Sequence, residues 1–472
     1  MSLERLISVP EMSNGDMFVF GRTLMGKHAC VEWNPDAKWM LNGNTLIGGQ
    51  SGTGKTRLLK EMIRWLSSQK KTIKVIDFQG DMAVQGETVY EIRARYDKSE
   101  HHYAINPFEF DKDLKNGGPT VHSALLADIF KKALFPNMGP IQKQMFKQMI
   151  MDVYYIAGIT EDSTTWTQEL PTITDLSLFH EKLLQMLGDN QLWKINQRIN
   201  KVLKLRTEHS GGSDEINEKI DKEISSLCTT MVALGDFAKH KIEDDENEWN
   251  IDIKINLEPY YSKKSQSKLE SLSPYIKEMS SMTIFLGERV PLDTIGHVRF
   301  DISGLTNASK PSQAIFFSEL VMQAEFRRVK LRGEYSMLTN KIGKRFDTAI
   351  IVDESKLVLP VGKEKDNPYH IAHRINTEGR KFGLISISAT QSFSHYSDDI
   401  LKNAGAKIIL NCDGKEHKVL KSSYSKINDG LLSRISTFGI ALVDTGKNGF
   451  ETVVLPWADK KALGIEEVDE AF

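Results

Sequence analysis

The stretch GGQSGTGKT, residues 48–56, decides the fold of this chain. From Gly49 onward it follows the pattern G-x-x-x-x-G-K-[ST]. TLI at residues 45–47 has the length and apolar character of a short buried strand. The apolar residues after the loop recur at helical spacing, namely Leu58, Leu59, Met62, Ile63 and Leu66. The glycine loop is therefore predicted to connect a strand to a helix N-terminus.

A glycine loop in that context is a phosphate cradle, or P-loop. Its backbone N–H groups can turn inward, and the helix dipole adds a partial positive charge. Lys55 is predicted to reach the outer phosphates and to take part in catalysis, and the Thr56 hydroxyl to bind Mg²⁺. The residues predicted to bind the nucleoside triphosphate are Gly49, Gln50, Ser51, Gly52, Thr53, Gly54, Lys55, Thr56 and Arg57.

A second nucleotide motif is TAIIVDE, residues 348–354, a predicted buried strand that ends in two carboxylates. Asp353 is predicted to bind Mg²⁺, and Glu354 to orient and deprotonate the attacking water. The alternative is a strand whose acidic end caps the next helix. LISISATQ, residues 384–391, is another predicted buried strand with Gln391 at its tip. In P-loop ATPases of the additional-strand class, such a strand lies beside the P-loop strand and places its polar tip near the γ-phosphate.

Arg380 lies between these two motifs, in the basic turn EGRKFG at residues 378–383. It is either a solvated turn residue or an arginine finger presented to a neighbouring subunit. As a finger it would be a fourth catalytic residue beside Lys55, Glu354 and Gln391.

The composition is that of a globular protein with more than one compact unit. The chain has 472 residues, of which 40% are hydrophobic and 26% charged, and its net charge is −2. Any anionic partner must therefore be bound by local basic patches. Three scattered cysteines fit neither a disulfide framework nor a zinc site. The sequence has no apolar run of about 18 residues and no signal peptide, so we predict a cytoplasmic protein without an intrinsic membrane segment.

The apolar periodicity changes along the chain and predicts its organisation. Residues 17–33 are predicted to form a hairpin, the pattern is helical from about 120 to 285, and strands return at 297–305. An α/β nucleotide domain with a large all-α insertion accounts for this order. The predicted divisions are a short N-terminal β segment (1–44), the first part of the motor domain (45–118), the helical insertion (119–290), the second part of the motor domain (291–460) and an acidic C-terminal tail (461–472).

These residues resemble the HerA/FtsK superfamily of P-loop motors, which includes conjugative coupling and type IV secretion ATPases. The resemblance is closest over residues 375–410, where the EGRKFG turn is followed by a strand ending in TQ, a helix and a strand ending in IIL. VIDFQGD at 75–81 is similar to the family's I-D-P-x-G-D/E element, and INPFEF at 105–110 to its N-P-F/L element. FDISGL at 300–305 resembles the strand that the family places after its helical insertion.

The resemblance implies a RecA-like core of the additional-strand, catalytic-glutamate class. It also implies a homo-oligomeric ring, usually a hexamer, with ATP between subunits and DNA, which we expect to be duplex, in a central channel. One subunit would supply Lys55, Thr56, Asp353, Glu354 and Gln391, and the next would supply Arg380. We therefore expect a ring-forming, ATP-driven DNA translocase.

Other functions compete with translocation. Only 48 residues precede Gly49, where HerA has a longer β-barrel, and only 16 follow Pro456, where FtsK has a winged helix. The chain also lacks the N-terminal membrane helices of coupling proteins. The alternatives are a type IV secretion or conjugation ATPase that energises transfer of single-stranded DNA or protein, and a scaffold in an anti-phage defence complex. The corresponding partner would be a relaxase, a secretion-complex protein or a nuclease.

Two further classes fit the sequence poorly. A GTPase would carry N-K-x-D, but NKIG at 340–343 lacks the aspartate. A small-molecule kinase would need neither the helical insertion nor Arg380.

DNA contacts are predicted from basic clusters, each of which is also typical of an ordinary solvated surface. A ring needs few contacts per subunit because the copies sum their phosphate neutralisation. The clusters comprise Arg327, Arg328, Lys330 and Arg332; Lys341, Lys344 and Arg345; and Lys363 with Lys365.

Overall fold

The computed structural model describes most of the chain, which divides into two compact units. The described residues are 13–14, 17–25, 29–37, 39–40, 42–188, 218, 222, 260, 263–292, 294–308, 310–335, 346–360, 362 and 365–458. One unit comprises residues 1–103 and 287–472, and the other residues 104–286. The predicted acidic tail at 461–472 and the NKIG sequence at 340–343 lie outside the described residues.

The regular elements are numbered in chain order. The strands are β1 (Ser13–Asn14), β2 (Met17–Thr23), β3 (Cys30–Trp33), β4 (Thr45–Gly48), β5 (Thr72–Asp77), β6 (Thr88–Glu91), β7 (Tyr103–Ala104), β8 (Glu288–Arg289), β9 (His297–Asp301), β10 (Thr348–Val352), β11 (Leu384–Thr390), β12 (Ala406–Ile409), β13 (Ile440–Asp444) and β14 (Glu451–Val454). The helices are α1 (Lys55–Ser68), α2 (Pro119–Ile129), α3 (Pro140–Ile156), α4 (Ile173–Gly188), α5 (Lys263–Ser281), α6 (Ser303–Asn307), α7 (Pro311–Arg332), α8 (Ile371–Glu378), α9 (Asp398–Asn403), α10 (Gly414–Ser423) and α11 (Asp429–Arg434).

The first unit is built on one large, mostly parallel sheet, which gives it an α/β RecA-like fold. The strand order is β1-β2-β14-β13-β12-β4-β11-β10-β5-β9-β6, with β3 paired to β2. The run from β12 to β6 is parallel, and β12, β13, β14 and β2 pair antiparallel. β4, β5, β10 and β11 are buried at every residue, which is typical of parallel strands covered on both faces.

The strand order determines where the predicted motifs meet. β11 lies between β4 and β10, so the strand that precedes Gln391 is beside the P-loop strand, as predicted. Carboxyl ends of parallel strands share one edge of a sheet, where ligands bind in open α/β folds. Gly48, Asp77, Val352 and Thr390 therefore end their strands at a common edge.

Apolar packing on the two faces of the sheet holds this unit together. The apolar residues predicted to recur at helical spacing in α1 are all buried, which confirms this helix. They belong to the same core as Phe18, Trp33, Trp65 and Ile387. Replacing a buried leucine such as Leu59 by alanine would cost about 2–5 kcal/mol. A second core of buried residues includes Phe393, Tyr396 and Leu442.

The N-terminal segment belongs to the main sheet. β2 and β3 form the predicted hairpin, and β2 also pairs with β14 near the end of the described chain. The rings of Phe18, Phe20, Trp33 and Trp65 meet edge to face, with centroids 5.2–6.2 Å apart. This aromatic packing joins the hairpin to α1.

The second unit contains α2 to α5 within its described residues. It begins at Ala104, earlier than the predicted start of the insertion at residue 119, because the extended segment that follows Ala104 packs on α3. The rings of Phe108 and Phe110 each lie 5.5 Å from that of Tyr154, whose hydroxyl donates to the Phe108 carbonyl at 2.6 Å. No described helix of the chain is both long enough and apolar enough to cross a membrane.

Candidate nucleotide-binding site

The P-loop has the conformation that its glycines allow. β4 ends at Gly48 and α1 begins at Lys55. Gly52 and Gly54 have φ angles of 78° and 99°, a region that other residues rarely adopt. A Cβ atom on Gly54 would also lie 2.9 Å from the indole nitrogen of Trp457. Any larger residue at position 54 would therefore be strained by its backbone and by this neighbour.

The loop is anchored through its backbone to two neighbouring strands. The Gly49 N–H donates to the Thr390 carbonyl at 3.2 Å, and the Gln50 N–H donates to the Asn411 carbonyl at 2.8 Å. The Thr53 hydroxyl closes the loop on the Gln50 carbonyl at 2.7 Å. The start of the loop is thus fixed to the ends of β11 and β12.

Lys55 folds back over its own loop. Its ammonium donates to the Gly49 carbonyl at 2.6 Å and to the Gln50 carbonyl at 2.8 Å. Burial lowers the pKa of Lys55, and the Glu354 carboxylate opposes that shift. The positive group therefore lies on the glycine loop, within electrostatic reach of the second motif.

Asp353 and Glu354 follow β10 and are both buried. Asp353 Oδ1 accepts from the Phe78 N–H at 3.1 Å, and Oδ2 accepts from the Gln79 N–H at 3.2 Å. These bonds direct the Asp353 carboxylate towards the turn that follows β5.

Three carboxylates meet at that turn. Oxygen atoms of Asp77, Asp81 and Asp353 lie within 4.8 Å of one another. Burial raises the pKa of Asp353 well above its usual range, and the charges of Asp77 and Asp81 add to the effect, whereas the two amide bonds oppose it. Arg299 pairs with Asp77 at 2.9 Å. Among the described residues, Thr56 makes no hydrogen bond with Asp353, so the structure does not join the two predicted Mg²⁺ ligands directly.

Glu354 is joined to the predicted Gln391. Gln391 Nε2 donates to Glu354 Oε2 at 3.3 Å. Glu354 Oε1 is buried and has no hydrogen-bond partner among the described residues. Buried polar atoms are nearly always satisfied, so an unpaired carboxylate oxygen indicates a place for a ligand, an ion or water.

Arg380 lies at the other end of β11. It is exposed on the 3₁₀ turn Gly379–Phe382, which directly precedes that strand. β11 has seven residues and runs parallel to the P-loop strand, so Arg380 is about 20 Å from the edge that carries the P-loop. Arg380 therefore cannot reach the P-loop of its own chain, and it forms no ion pair with a described residue.

Several residues of the predicted basic clusters form ion pairs or hydrogen bonds within the protein. Arg328 pairs with the buried Glu325 and donates to the Thr348 hydroxyl at 3.0 Å. Arg332 binds the Asp347 carboxylate with both terminal nitrogens and donates to the Phe382 carbonyl at 2.8 Å. Lys365 donates to the Ser394 carbonyl at 2.8 Å. Lys341, Lys344, Arg345 and Lys363 lie outside the described residues.

Sequence reasoning missed several residues around the P-loop. The Asn411 carbonyl accepts a hydrogen bond from the Gln50 N–H. Every residue has a backbone carbonyl, so the sequence does not reveal which one makes this contact. Trp457 lies against the loop at Gly54, and the Arg57 guanidinium lies 5.1 Å from the centroid of the Trp457 ring. A tryptophan after the last strand carries no motif that would place it there.

Known proteins resemble this chain in a stretch of sequence and in fold. No protein-family model matches the chain. Over 117 residues the sequence is 32% identical to the DNA double-strand break repair helicase HerA of Pyrococcus furiosus; the match spans 23% of this chain and 21% of HerA. The chain thus spans about a fifth of the length of this relative.

One solved structure, that of VirB4, shares the fold over nearly the whole chain. VirB4 of Thermoanaerobacter pseudethanolicus aligns with a TM-score of 0.55 and 15% identity, covering 95% of this chain and 99% of VirB4. The bacterial conjugative coupling protein TrwBdeltaN70, in complex with sulphate, aligns with a TM-score of 0.48 and 12% identity over 90% of this chain and 87% of the solved chain. The sequence match to HerA and the fold shared with VirB4 confirm the predicted resemblance to HerA/FtsK-like P-loop ATPases and the α/β fold.

Proposed function

We propose that the chain is a ring-forming ATPase that drives DNA through a central channel. The observation that carries this proposal is the placement of Glu354, Gln391 and the P-loop at one edge of the sheet and of Arg380 at the other. In this arrangement Arg380 is too far from the P-loop of its own chain to act there and would act at the P-loop of a neighbouring subunit.

Within the pocket, the P-loop would bind the phosphates of ATP. The donors would be the inward N–H groups of the loop, the start of α1 and the Lys55 ammonium, which would exchange its two carbonyl partners for phosphate oxygens. Glu354 would accept a proton from the attacking water, and its unpaired Oε1 supports that role. Gln391, bonded to Oε2, would hold the carboxylate and orient the water.

The residues present fit a magnesium ion. Carboxylate and hydroxyl oxygens are its preferred ligands, and the crowding of Asp353 with Asp77 and Asp81 is of the kind that a divalent cation would offset. Asp353 would hold the ion through water and Thr56 through its hydroxyl. When bound, Mg²⁺ would neutralise charge on the phosphates.

Arg380 would complete the pocket of the next subunit. Its exposure and its lack of an ion pair among the described residues leave the guanidinium available to another chain. A hexamer would contain six such shared sites. DNA as the substrate rests on the match to HerA, which is named a DNA double-strand break repair helicase.

A conjugation or secretion ATPase is the second candidate. The fold shared with VirB4 extends over 99% of the solved VirB4 chain, which favours this candidate. The substrate would then be single-stranded DNA or protein, with a relaxase or secretion-complex protein as partner.

The test is ATP hydrolysis by the purified protein with no DNA, with duplex DNA and with single-stranded DNA. The proposal expects hydrolysis that duplex DNA stimulates and that Lys55→Ala abolishes, while Lys60→Ala on the same helix retains it. DNA binding should weaken steeply with salt, because a channel that follows phosphates releases counterions. Stimulation by single-stranded DNA alone would favour the conjugation function, and Lys55-independent hydrolysis would contradict both.

A further inference from the structure

The turn that follows β11, residues 390–396, is held in place by buried groups. Glu416 on α10 is buried and accepts from the Ser392 hydroxyl at 2.5 Å and from the Phe393 N–H at 2.6 Å. The Phe393 ring lies so close to Gly48 that a Cβ atom there would be 2.0 Å from it. The turn is thus fixed to α10 and to the last residue of the P-loop strand.

The same turn is hydrogen-bonded to the residue that follows Glu354. The Tyr396 hydroxyl, fully buried, lies 3.0 Å from the Ser355 hydroxyl and 2.9 Å from the Ser388 hydroxyl. Ser355 directly follows Glu354. The turn therefore has a rigid relation to both nucleotide motifs, which is the property that positions a catalytic group.

His395 is the titratable side chain that this turn presents. Its Nδ1 lies 2.7 Å from the Thr390 hydroxyl, which also accepts from the Ser392 N–H at 3.4 Å. Thr390 is fully buried, so its hydroxyl proton needs an acceptor, and within the described part of the chain His395 Nδ1 is the acceptor that its hydroxyl meets. Thr390 therefore donates to Nδ1, and the neutral ring carries its own proton on Nε2.

The His395 ring lies within electrostatic reach of Glu354, a residue of the proposed site. His395 is half-exposed, and Nε2 has no hydrogen-bond partner among the described residues. The charged groups around the ring are Glu354, Glu416, Lys356 and Lys365. Burial, with a smaller contribution from Lys356, lowers the pKa of His395, which favours the neutral ring with its Nε2 proton.

We infer that His395 donates a hydrogen bond from Nε2 to the terminal phosphate of the bound nucleotide, beside Glu354 and Gln391. This inference rests on the proposed ATPase function. Its chemical role is to stabilise negative charge that grows on the phosphate oxygens during hydrolysis, without transfer of its proton. Thr390 is then a positioning residue, because its hydroxyl selects the tautomer that donates.

Two substitutions of His395 separate this role from a structural one. His395→Gln places an amide nitrogen near the position of Nε2, whereas His395→Asn places an amide near Nδ1 and keeps an acceptor for Thr390. We expect His395→Asn to lower kcat for ATP by about 10²-fold, as for loss of one transition-state donor, with nucleotide affinity and thermal midpoint little changed. His395→Gln should keep most of the wild-type kcat. Equal kcat values for the two variants would overturn the inference.

Thr390→Val provides the second measurement. It should lower kcat in the wild-type background and have no further effect in His395→Asn, since coupled groups are not additive. Additive effects would contradict the positioning role. Lys55→Ala separates this inference from the proposed function: if hydrolysis depends on Lys55 but His395→Asn keeps full kcat, only the inference falls. Wild-type protein without Lys55-dependent hydrolysis would overturn both.

Discussion

The two edges of the parallel sheet differ in how their charged groups are buried and paired. At the carboxyl edge, Glu354 has a buried oxygen with no hydrogen-bond partner in the described part of the chain, and Asp353 is crowded by other carboxylates. At the amino edge, Arg332 is bound to Asp347, and Arg380 is exposed with no ion pair to a described residue. Buried charges are normally paired, so the carboxylates of the first edge could accept a further cation from another chain, and Arg380 is an exposed one. The difference between the edges is what a site divided between subunits requires.

The largest effect should follow from removing the Arg380 guanidinium at the amino edge of the sheet. Arg380→Ala is expected to lower ATP hydrolysis by about 10³ to 10⁵, or roughly 4–7 kcal/mol of transition-state stabilisation. Nucleotide binding by an isolated subunit should be nearly unchanged, because Arg380 lies about 20 Å from its own P-loop. Steady-state hydrolysis and a binding titration measure the two quantities.

Lys381→Ala is the matched control for Arg380. Lys381 is the adjacent exposed cation and pairs with Glu334 at 2.7 Å. Loss of a surface pair of this kind costs little. If Arg380→Ala and Lys381→Ala hydrolyse ATP equally well, the amino edge contributes nothing to the reaction.

A smaller effect should follow from replacing Glu354, the proposed general base at the carboxyl edge of the sheet. Glu354→Gln is expected to slow hydrolysis by about 10²- to 10⁴-fold while retaining ATP binding, because the proton acceptor is lost and Asp353 remains. The isosteric control is Glu378→Gln at the amino edge, which should keep near wild-type turnover. Complete loss of ATP binding by Glu354→Gln would show instead that Glu354 is a structural residue or a metal ligand.

The smallest effect concerns a buried carboxylate in the second unit. Asp152 accepts from the Tyr260 hydroxyl at 2.5 Å and from Gln148 Nε2 at 2.9 Å, and burial raises its pKa to about 6. Its pKa in the unfolded chain is lower, so the folded state binds more protons between about pH 4 and pH 6. The free energy of unfolding should therefore fall as pH rises through that window, by at most about 3 kcal/mol.

Asp152→Asn should remove this pH dependence. Urea unfolding at pH 4.5 and pH 7 should show the variant gaining stability relative to wild type at the higher pH. Asp128→Asn, an exposed carboxylate paired with Lys143, is the control. An unchanged difference between wild type and Asp152→Asn at the two pH values would show that Asp152 titrates normally.

Local patterns in the sequence predicted the centre of the site. The strand, glycine loop and helix at residues 45–68 follow from side-chain spacing and backbone preference within one short segment. The buried strands before Asp353 and Gln391 are also recognisable, because continuous β-branched runs are typical of parallel sheet. The position of the strand before Gln391 beside the P-loop strand was expected from the additional-strand class of P-loop ATPases.

What the sequence could not predict depends on contacts between distant residues. The pairing of β2 with β14 joins the two ends of the unit, and no periodicity identifies such a partner. The start of the second unit at Ala104 depends on which helices the 105–110 segment packs against. His395 and Glu416 belong to no motif, and their relation to the P-loop appears once the turn after β11 is placed.

The most direct test of the divided site is to mix two inactive proteins. A Lys55→Ala subunit fails in its own pocket but still carries Arg380, whereas an Arg380→Ala subunit has an intact pocket and no arginine to offer. Under conditions in which subunits exchange, mixed rings would contain some pockets with both wild-type residues. We predict partial recovery of ATP hydrolysis in the mixture. No recovery, with co-assembly of the two variants demonstrated, would contradict a site completed by the neighbouring subunit.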